Sequence, residues 1–364
     1  MSPHDEPGRP GDGDLVRLLT PDGERVEHPD YDLDLSKSQY RALYRDMRLV
    51  RRVDTEAVAL QRQGELGMWI PCEGQEGAQV GSAHALRPDD HVFPSYREQG
   101  VAWCRGIAPL TLMGMLRGVS NGGWDPERNG FHLYTIVIGT QTLHAVGYAM
   151  GMRRDGADAA VLAYFGDGAT SQGDVNEAFN FAAVFRAPVV FFCQNNQWAI
   201  SVPNDRQTRA PLYRRAAGFG FPGIRVDGND VLACLAVTRD ALAGARRGEG
   251  PVLVEALTYR MGPHTTSDDP SRYRSEEDVD YWRARDPISR MRAYLTREGM
   301  ADDAFFREVE EEGDRIAAEL REGVRAMPDP PVEAIFDHVY AAPHPLLAEE
   351  RAQHLRYLDG FADE

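Results

Sequence analysis

The chain has 364 residues, of which 42% are hydrophobic, and it carries a formal net charge of −17 at pH 7. This length suits one large α/β domain with extensions, or two domains, and it is ample for a buried core. The acidic balance argues against nucleic acid or an anionic membrane as a partner.

The sequence shows no signal for secretion or membrane insertion. Its first residues, MSPHDEPGRPGDGD, contain neither the basic segment nor the apolar segment of a secretory signal. No apolar run approaches the roughly 18 residues of a membrane span. The four cysteines show no C-x-x-C spacing, and Cys193 ends an apolar run, which is typical of a small core residue. We therefore expect a cytoplasmic protein with reduced thiols.

Composition and periodicity divide the chain into three parts. Residues 1–35 are rich in proline, glycine and aspartate, which predicts an N-terminal arm that is flexible or wraps the surface. Residues 36–325 predict one α/β domain, whose first helix is capped by Ser36 or Ser38. Residues 326–364 predict a C-terminal tail that packs on the domain or on a partner.

A polar motif, SYREQG, follows a predicted strand and turn over 89–95. Within this motif, Arg97 has the bidentate geometry that grips a phosphate, and Tyr96 adds a hydroxyl donor. Taken alone, Arg97 could equally be a surface residue paired with Glu98 or Glu65. Upstream, residues 74–86 predict a glycine-punctuated helix, whose Glu76 is either functional or part of the helix surface.

The next segment is predicted to run from loop to strand to helix. Residues 118–132, which include Asn129 and His132, are a loop by composition, and the roles of those two side chains stay open. The apolar run 133–139 predicts a strand. Residues 140–154 predict a helix with small residues on one face.

Two buried strands and a helix between them form the centre of the predicted fold. The strands cover 161–165 and 189–193, and apolar residues at helical spacing predict the helix over 173–186. Such a crossover unit is nearly always parallel and right-handed. Strands and helices go on alternating to about residue 259, so the predicted fold is a doubly wound parallel α/β sheet flanked by helices.

Two polar loops, GDGAT and QNNQW, leave the carboxyl ends of these strands, where ligands of such sheets bind. Gly166 and Gly168 allow the backbone to approach an anion, and Asp167 beside an anion requires a cation between them. Mg²⁺ takes about six oxygen ligands, and its candidate ligands are Asp167, the Asn196 side chain and a backbone carbonyl near Trp198. The spacing matches neither the dinucleotide nor the nucleoside triphosphate fingerprint. Turns without a ligand are the alternative.

A long polar loop follows the last predicted strand of the sheet and contains His264. Histidine titrates near neutral pH, so His264 is the best candidate for a titrating catalytic group. A solvent-exposed loop histidine without a function is the competing interpretation.

Several motifs in order along the chain resemble one family. GDG, then 26 residues, then NN resembles the thiamine-diphosphate motif, and its surroundings resemble the α subunit of the decarboxylating first component of 2-oxo acid dehydrogenase complexes. The likeness runs from about residue 36 to residue 295. The other segments that carry it are EGQEGAQVGSAHAL (73–86), SYREQG (95–100), RVDGND (225–230), EALTYRMGPHTTSDDP (255–270) and YRSEEDVDYW (273–282).

The resemblance implies thiamine diphosphate with Mg²⁺, and it assigns cofactor-binding residues. It implies that Tyr96 and Arg97 hold the diphosphate and that Gly168 and Ala169 contact the cofactor. His264 would contact a phosphate and face the substrate channel, as the catalytic residue of this chain.

The resemblance also implies contacts for the rest of the cofactor. Backbone groups of Ile136 and Ile138 would lie against the aminopyrimidine, with the bulk of Ile138 under the folded cofactor. Some branched-chain relatives have a potassium site near the positions of Thr140 and Gln141, so K⁺ is a possible further ion.

A partner subunit is implied because one part of the chemistry has no candidate in this chain. Activating the cofactor requires a carboxylate on the aminopyrimidine ring nitrogen, and in the family a separate β subunit supplies it. The resemblance implies two α and two β subunits, and transfer of the acyl product to the lipoyl arm of an acyltransferase second component.

The substrate and the class of enzyme each leave alternatives. TSDDPSRYR and FNFAA favour branched-chain 2-oxo acids such as 3-methyl-2-oxobutanoate, with pyruvate as the alternative. Less favoured are another thiamine-diphosphate enzyme, such as a transketolase-like half or an acetoin-cleaving relative, and a non-catalytic binding subunit. Mammalian relatives carry regulatory phosphoserines in the His264 loop, but here Thr265 follows the histidine and only Ser275 matches, so kinase control is not inferred.

Overall fold

Six parallel strands form one sheet at the centre of the computed structural model, which describes residues 14–361. The strands lie in the order β1-β7-β8-β4-β3-β2, and β5 and β6 form a separate antiparallel pair. Their bounds are β1 Leu15–Val16, β2 His91–Phe93, β3 Val161–Gly166, β4 Val189–Asn195, β5 Trp198–Ala199, β6 Val202–Pro203, β7 Gly223–Asp227 and β8 Val252–Leu257. The predicted parallel α/β sheet is therefore confirmed.

Thirteen α-helices surround the sheet within the described residues. They are α1 Lys37–Arg62, α2 Glu76–Ala83, α3 Gln99–Cys104, α4 Pro109–Arg117, α5 Pro126–Asn129, α6 Thr140–Asp155, α7 Gly173–Phe185, α8 Arg215–Gly218, α9 Val231–Arg246, α10 Glu276–Arg283, α11 Pro287–Arg297, α12 Asp303–Ala326 and α13 Pro345–Asp359. Ser36 caps α1 through a capping box with Gln39, which confirms a predicted helix start. None of the described helices has the length and apolarity needed to cross a membrane.

Alternate residues of the central strands face two separate cores, because side chains of a strand point to opposite faces. Leu162 and Tyr164 of β3 pack toward α2 and α9, whereas Ala163 and Phe165 pack toward α6 and α7. Helices therefore cover both faces, which explains why β3 and β4 are apolar on both sides. Cys193 of β4 is fully buried in the second core, as predicted.

Parallel register brings the two polar motifs together. Gly166 at the end of β3 pairs with Gln194 near the end of β4, and β4 also pairs with β8. The GDG and QNN loops, and the loop that follows β8, therefore leave the same edge of the sheet. This edge is where the sequence predicts ligands.

The predicted N-terminal arm differs from the arrangement observed over residues 14–35. Residues 1–13 lie outside the described residues, but Leu15–Val16 forms the edge strand against β7. The backbone N–H groups of Leu18 and Leu19 both donate to Asp230 Oδ2 at 2.6 Å, and both side chains are fully buried. This stretch belongs to the folded domain, because a short apolar LVRLL segment completes the sheet edge.

One other predicted segment differs, and the predicted C-terminal tail contains a helix. The strand expected over 133–139 is absent: Ile136, Val137 and Ile138 are 61%, 70% and 41% exposed and join no strand. Helix α13 in the predicted C-terminal tail has no buried residue and contacts the turn Val332–Phe336.

Candidate active site

A cavity of about 260 Å³ opens at the carboxyl ends of β3 and β4, beside the start of α2 and the loop after β8. Nine of the ten residues proposed from the sequence for cofactor, metal or catalysis line it. They are Tyr96, Arg97, Ile138, Asp167, Gly168, Ala169, Asn196, Trp198 and His264. The tenth, Ile136, lies on the exposed rim and does not line the cavity.

Asp167 lies on one wall of the cavity and is only 1% exposed. A carboxylate in a polar loop would ordinarily be exposed, but here the 204–207 turn covers the residue. Gln207 Nε2 donates to Asp167 Oδ2 at 2.9 Å, and Asn204 Nδ2 lies 3.4 Å from the same oxygen. Burial raises the pKa of Asp167. A cation in the cavity would offset that cost, which fits a metal ligand.

Asn196 belongs to a chain of directed hydrogen bonds that ends inside the cavity. The Trp198 backbone N–H donates to Asn196 Oδ1 at 3.2 Å, which fixes the orientation of that side-chain amide. Asn196 Nδ2 then donates to Gln75 Oε1 at 3.1 Å. Gln75 is fully buried, lines the cavity, and its Nε2 has no partner among the described residues. A buried donor without a partner requires an acceptor, which a bound anion would supply.

Arg97 lines the cavity, and Arg260 lies next to it, with its Nη1 3.5 Å from His264 Nδ1 and 3.4 Å from the Trp198 carbonyl oxygen. Arg97 donates to the Pro71 carbonyl oxygen, and its Nη2 donates to the His264 carbonyl oxygen at 3.0 Å. Arg260 is fully buried and donates to the Ile200 carbonyl oxygen at 2.7 Å. Within residues 14–361 neither arginine forms a salt bridge, and burial together with Arg97 lowers the pKa of Arg260 to about 10. Two buried cations without carboxylate partners favour an anionic ligand.

His264 lies between these guanidinium groups, and its tautomer follows from the contacts. Arg97 Nη2 lies 3.1 Å from His264 Nδ1, and arginine can only donate, so Nδ1 accepts and the proton is on Nε2. Burial, then Arg97 and Arg260, lower the pKa of His264 to about 4. The imidazole is therefore neutral at pH 7 and offers one N–H donor.

The loop that carries His264 is held by its own side chains. Asp268 accepts from the His264 backbone N–H at 2.8 Å and from the Tyr273 hydroxyl, and Tyr273 in turn accepts from Arg260 at 2.8 Å. Arg274 donates to the carbonyl oxygens of residues 260, 261 and 262. This network orders the histidine without filling the cavity.

The two glycines of the GDG motif have different structural roles. A side chain at Gly168 would place its Cβ 2.7 Å from the Ala199 Cβ, so glycine is required there by packing. A Cβ at Gly166 would meet nothing within 4 Å, although Gly166 lines the cavity. Of the two glycines, only Gly166 therefore has open space beside it that a ligand could occupy.

Other residues singled out in the sequence have mixed outcomes. Glu76 is fully buried and pairs with Arg51, so it is neither on the helix surface nor in the cavity. Gln141 lines the cavity with its Oε1 unpartnered among the described residues, while Thr140 donates to Asp174 at 3.1 Å. Ser275 caps α10 by accepting from the Asp278 N–H, and Thr265 accepts from the Ser267 N–H.

Glu98 and Asp167 are the two carboxylates that line the cavity within the described residues. Glu98 accepts from Gln194 Nε2 at 2.7 Å and from Ser95 Oγ and the Arg97 backbone N–H. Its oxygens are thus occupied by protein donors, and burial raises the pKa of Glu98. Glu98 is therefore not free to bind a ligand, whereas the Asn204 and Gln207 side chains both contact Asp167 at its Oδ2.

Sequence reasoning missed Gln75, Arg260 and Gln207 as parts of this site. Gln75 directly precedes the flagged Glu76, and Arg260 stands four residues before His264 in the quoted motif, so both were near a signal. No sequence signal pointed to Gln207, because only the tertiary structure places its turn over Asp167.

The chain is similar to proteins of known annotation along most of its length. The family model described as dehydrogenase E1 component matches residues 44–333. The 3-methyl-2-oxobutanoate dehydrogenase subunit alpha of Mycobacterium tuberculosis strain H37Rv is 51% identical over 339 residues, covering 93% of this chain and 92% of that protein. The 2-oxoisovalerate dehydrogenase subunit alpha of Bacillus subtilis is 39% identical, covering 85% and 97%. The pyruvate dehydrogenase E1 component subunit alpha of Acholeplasma laidlawii is 38% identical, covering 90% and 95%.

Proposed function

The chain belongs to the dehydrogenase E1 component family, and on that premise we propose that it is the α subunit of a thiamine-diphosphate-dependent branched-chain 2-oxo acid dehydrogenase. Its reaction is the oxidative decarboxylation of a 2-oxo acid such as 3-methyl-2-oxobutanoate, with the acyl group passed to a lipoyl arm. All four cysteines are free thiols, which agrees with a cytoplasmic location.

One observation carries the proposal: the cavity is lined by both a buried guanidinium group and a buried carboxylate. Buried Arg97, which has no carboxylate partner within the described residues, lines the cavity together with Asp167 and Asn196. A diphosphate bound to a divalent cation is the ligand that satisfies both charged groups, since Mg²⁺ commonly bridges a carboxylate to phosphate oxygens. The unpartnered Gln75 Nε2 supplies a further donor for a phosphate oxygen.

Thiamine diphosphate, when bound, would supply the electron sink that decarboxylation of a 2-oxo acid needs. This chain holds and orients it. Asp167, the Asn196 side chain and the Trp198 carbonyl would hold Mg²⁺. Tyr96 and Arg97 would bind the diphosphate, and Gly168 and Ala169 would contact the cofactor, since all of these residues line the cavity.

His264 has the catalytic role that belongs to this chain. Its neutral imidazole carries the proton on Nε2 and lies at the cavity between Tyr96 and Arg97. It therefore donates a hydrogen bond to the phosphate or to the carboxylate of an incoming substrate. The Asp268–Tyr273–Arg260 network keeps it at that place. Potassium near Thr140 and Gln141 would accept the unpartnered Gln141 oxygen as a ligand.

A β subunit completes the site in this proposal, in an assembly of two α and two β subunits. The backbone of Ile136 and Ile138 would meet the aminopyrimidine, and both side chains are exposed in the single chain. Glu98 is occupied by protein donors and Asp167 is assigned to the metal, so in this proposal the carboxylate at the ring nitrogen comes from β. An acyltransferase with lipoyl arms receives the acyl group.

Pyruvate is the second candidate substrate, since pyruvate dehydrogenase α subunits are 38% identical to this chain. The test is to reconstitute the chain with its β subunit and to compare kcat/KM for 3-methyl-2-oxobutanoate and pyruvate side by side, with an artificial electron acceptor. We expect the branched-chain acid to be preferred. A preference for pyruvate would reassign the substrate, and no turnover of either acid would contradict the proposed function.

A further inference from the structure

We propose that Asp46, His84 and Cys104 form a zinc site, separate from the cofactor cavity. Each residue offers one ligand atom, and these three atoms lie within 4.8 Å of one another. The residues come from three different places: the middle of α1, the residue that ends α2, and the last residue of α3. Within the described residues, this is the one group of at least three such side chains placed closely enough to hold a metal ion.

The donor set selects the metal. A thiolate, an imidazole and a carboxylate are all ligands of Zn²⁺, at about 2.3, 2.0–2.1 and 2.0–2.2 Å respectively. Three protein ligands with a water in the fourth position are a common zinc arrangement. Hard cations such as Mg²⁺ prefer oxygen ligands and would gain little from Cys104. His84 Nε2 and Asp46 Oδ2 are 2.8 Å apart and share a hydrogen bond, which a bound ion would replace by binding both atoms.

Surrounding contacts orient the carboxylate as they do in established metal sites, where outer partners hold the ligands. Trp103 Nε1 donates to Asp46 Oδ1 at 3.0 Å, which leaves Oδ2 directed at His84. Arg45 contacts the same Oδ1 at 3.3 Å, but its main partner is Glu312, which accepts from it twice. The guanidinium charge is therefore balanced away from the cluster.

Charge and exposure also fit a bound dication. One carboxylate and one thiolate balance Zn²⁺, so the occupied site is neutral while the three side chains are only partly exposed. The site is accessible, because the His84 side chain is 26% exposed and the Asp46 side chain 14%. None of the three residues lines the cofactor cavity, which lies at the opposite end of α2.

The experiment uses the full-length chain and Co²⁺ as a spectroscopic probe, with excess Mg²⁺ to occupy oxygen-only sites such as Asp167. We expect one equivalent of Co²⁺ to give a thiolate-to-cobalt charge-transfer band, and Zn²⁺ to displace it. Zn²⁺ should also raise Tm, because it joins α1, α2 and α3 and binds only the folded chain.

Variants distinguish ligands from neighbours. Cys104→Ser retains the three buried cysteines and should abolish the band, and His84→Gln should weaken Co²⁺ binding strongly. Trp103→Phe leaves the ligands intact and should weaken binding by about 10–100-fold with the band preserved. His338→Gln, which changes an imidazole outside the cluster, should bind as the unaltered chain does.

Circular dichroism checks that each variant is folded, and the two ligand variants serve as alternatives if one fails to fold. Absence of the band in the unaltered chain would overturn the proposal. A band that persists in folded Cys104→Ser, or equal affinity in folded His84→Gln, would also overturn it.

Discussion

The inner walls of the cavity and its outer rim differ in polarity, burial and completeness. Arg97, Asp167 and Asn196 on the walls are buried and held by hydrogen bonds from the same chain. Ile136 and Val137 on the rim are apolar, mostly exposed and outside any strand. The walls are therefore preorganised for a charged ligand by this chain alone, whereas the rim has the character of a surface that another protein covers.

The largest effect on activity should come from adding the β subunit, which we expect to cover the rim. Alone, with saturating thiamine diphosphate and Mg²⁺, the chain should show background decarboxylation of 3-methyl-2-oxobutanoate, and adding the β subunit should restore turnover. A positioned acid–base group is typically worth about 10²–10⁴-fold in rate. Full activity from the chain alone would refute the division between wall and rim, and Glu98→Gln would then test whether Glu98 is the activating carboxylate.

On the wall itself, Asp167→Asn should have the next largest effect. The amide keeps the shape and removes the charge that a metal ligand needs, so the loss of Mg²⁺-dependent cofactor affinity should exceed the about 10–100-fold typical of an outer-shell partner. The measurement is thiamine diphosphate binding by titration calorimetry at several Mg²⁺ concentrations. Asp205→Asn, an exposed residue of the adjacent turn, is the matched control. Equal affinity in both variants would remove the metal assignment.

Arg97→Met should weaken binding of the diphosphate and leave binding of the rest of the cofactor unchanged. Hydrogen bonds to charged groups contribute about 1.5–3 kcal/mol, so diphosphate affinity should fall by about 10–100-fold. Affinity for thiamine without phosphates should not change, because in the proposed assignment Arg97 contacts only the diphosphate. An equal loss for both ligands would indicate a structural role instead.

A substitution on the rim should weaken association with the β subunit and leave cofactor binding unchanged. In the double variant Ile136→Ser and Val137→Ser, two side chains lose the apolar area that a partner would bury, so association with β should weaken by at least about tenfold. Thiamine diphosphate binding to the isolated chain should stay the same. Thr135→Ser serves as the control within this segment, and sedimentation velocity measures association. Unchanged assembly would show that β binds elsewhere.

The smallest effect concerns the pH dependence of stability. The folded-state pKa of His264 is about 4, below the ordinary value of 6.5, so the folded chain excludes a proton that the unfolded chain binds. This stability is present above pH 6.5 and is lost as pH falls toward 4.

His264→Gln should therefore lose less stability than the unaltered chain between pH 7 and pH 5.5, by about 1 kcal/mol. Urea unfolding at the two pH values measures the difference. Thr265→Ser, which leaves the imidazole in place, should behave as the unaltered chain does. An unchanged pH dependence in His264→Gln would mean that the histidine is not held neutral in the fold.

The amino-acid sequence alone determined the type of each main element and the family motifs. Apolar runs, helical periodicity and caps such as Ser36 are local features, so they predicted β3, α7, β4 and α1 with bounds close to those observed. The order of strand, polar loop, helix and strand also predicted that the GDG and QNN loops meet, because carboxyl ends of parallel strands share one edge.

Only the tertiary structure decided which polar groups are buried and which apolar ones are not. Asp167 is covered by a turn some 40 residues further on, and Arg260 is buried through contacts with Ile200 and Tyr273. Conversely, residues 136–138 have the composition of a strand but no neighbouring strand to pair with. Burial depends on contacts between distant parts of the chain, so residue type and local spacing cannot determine it.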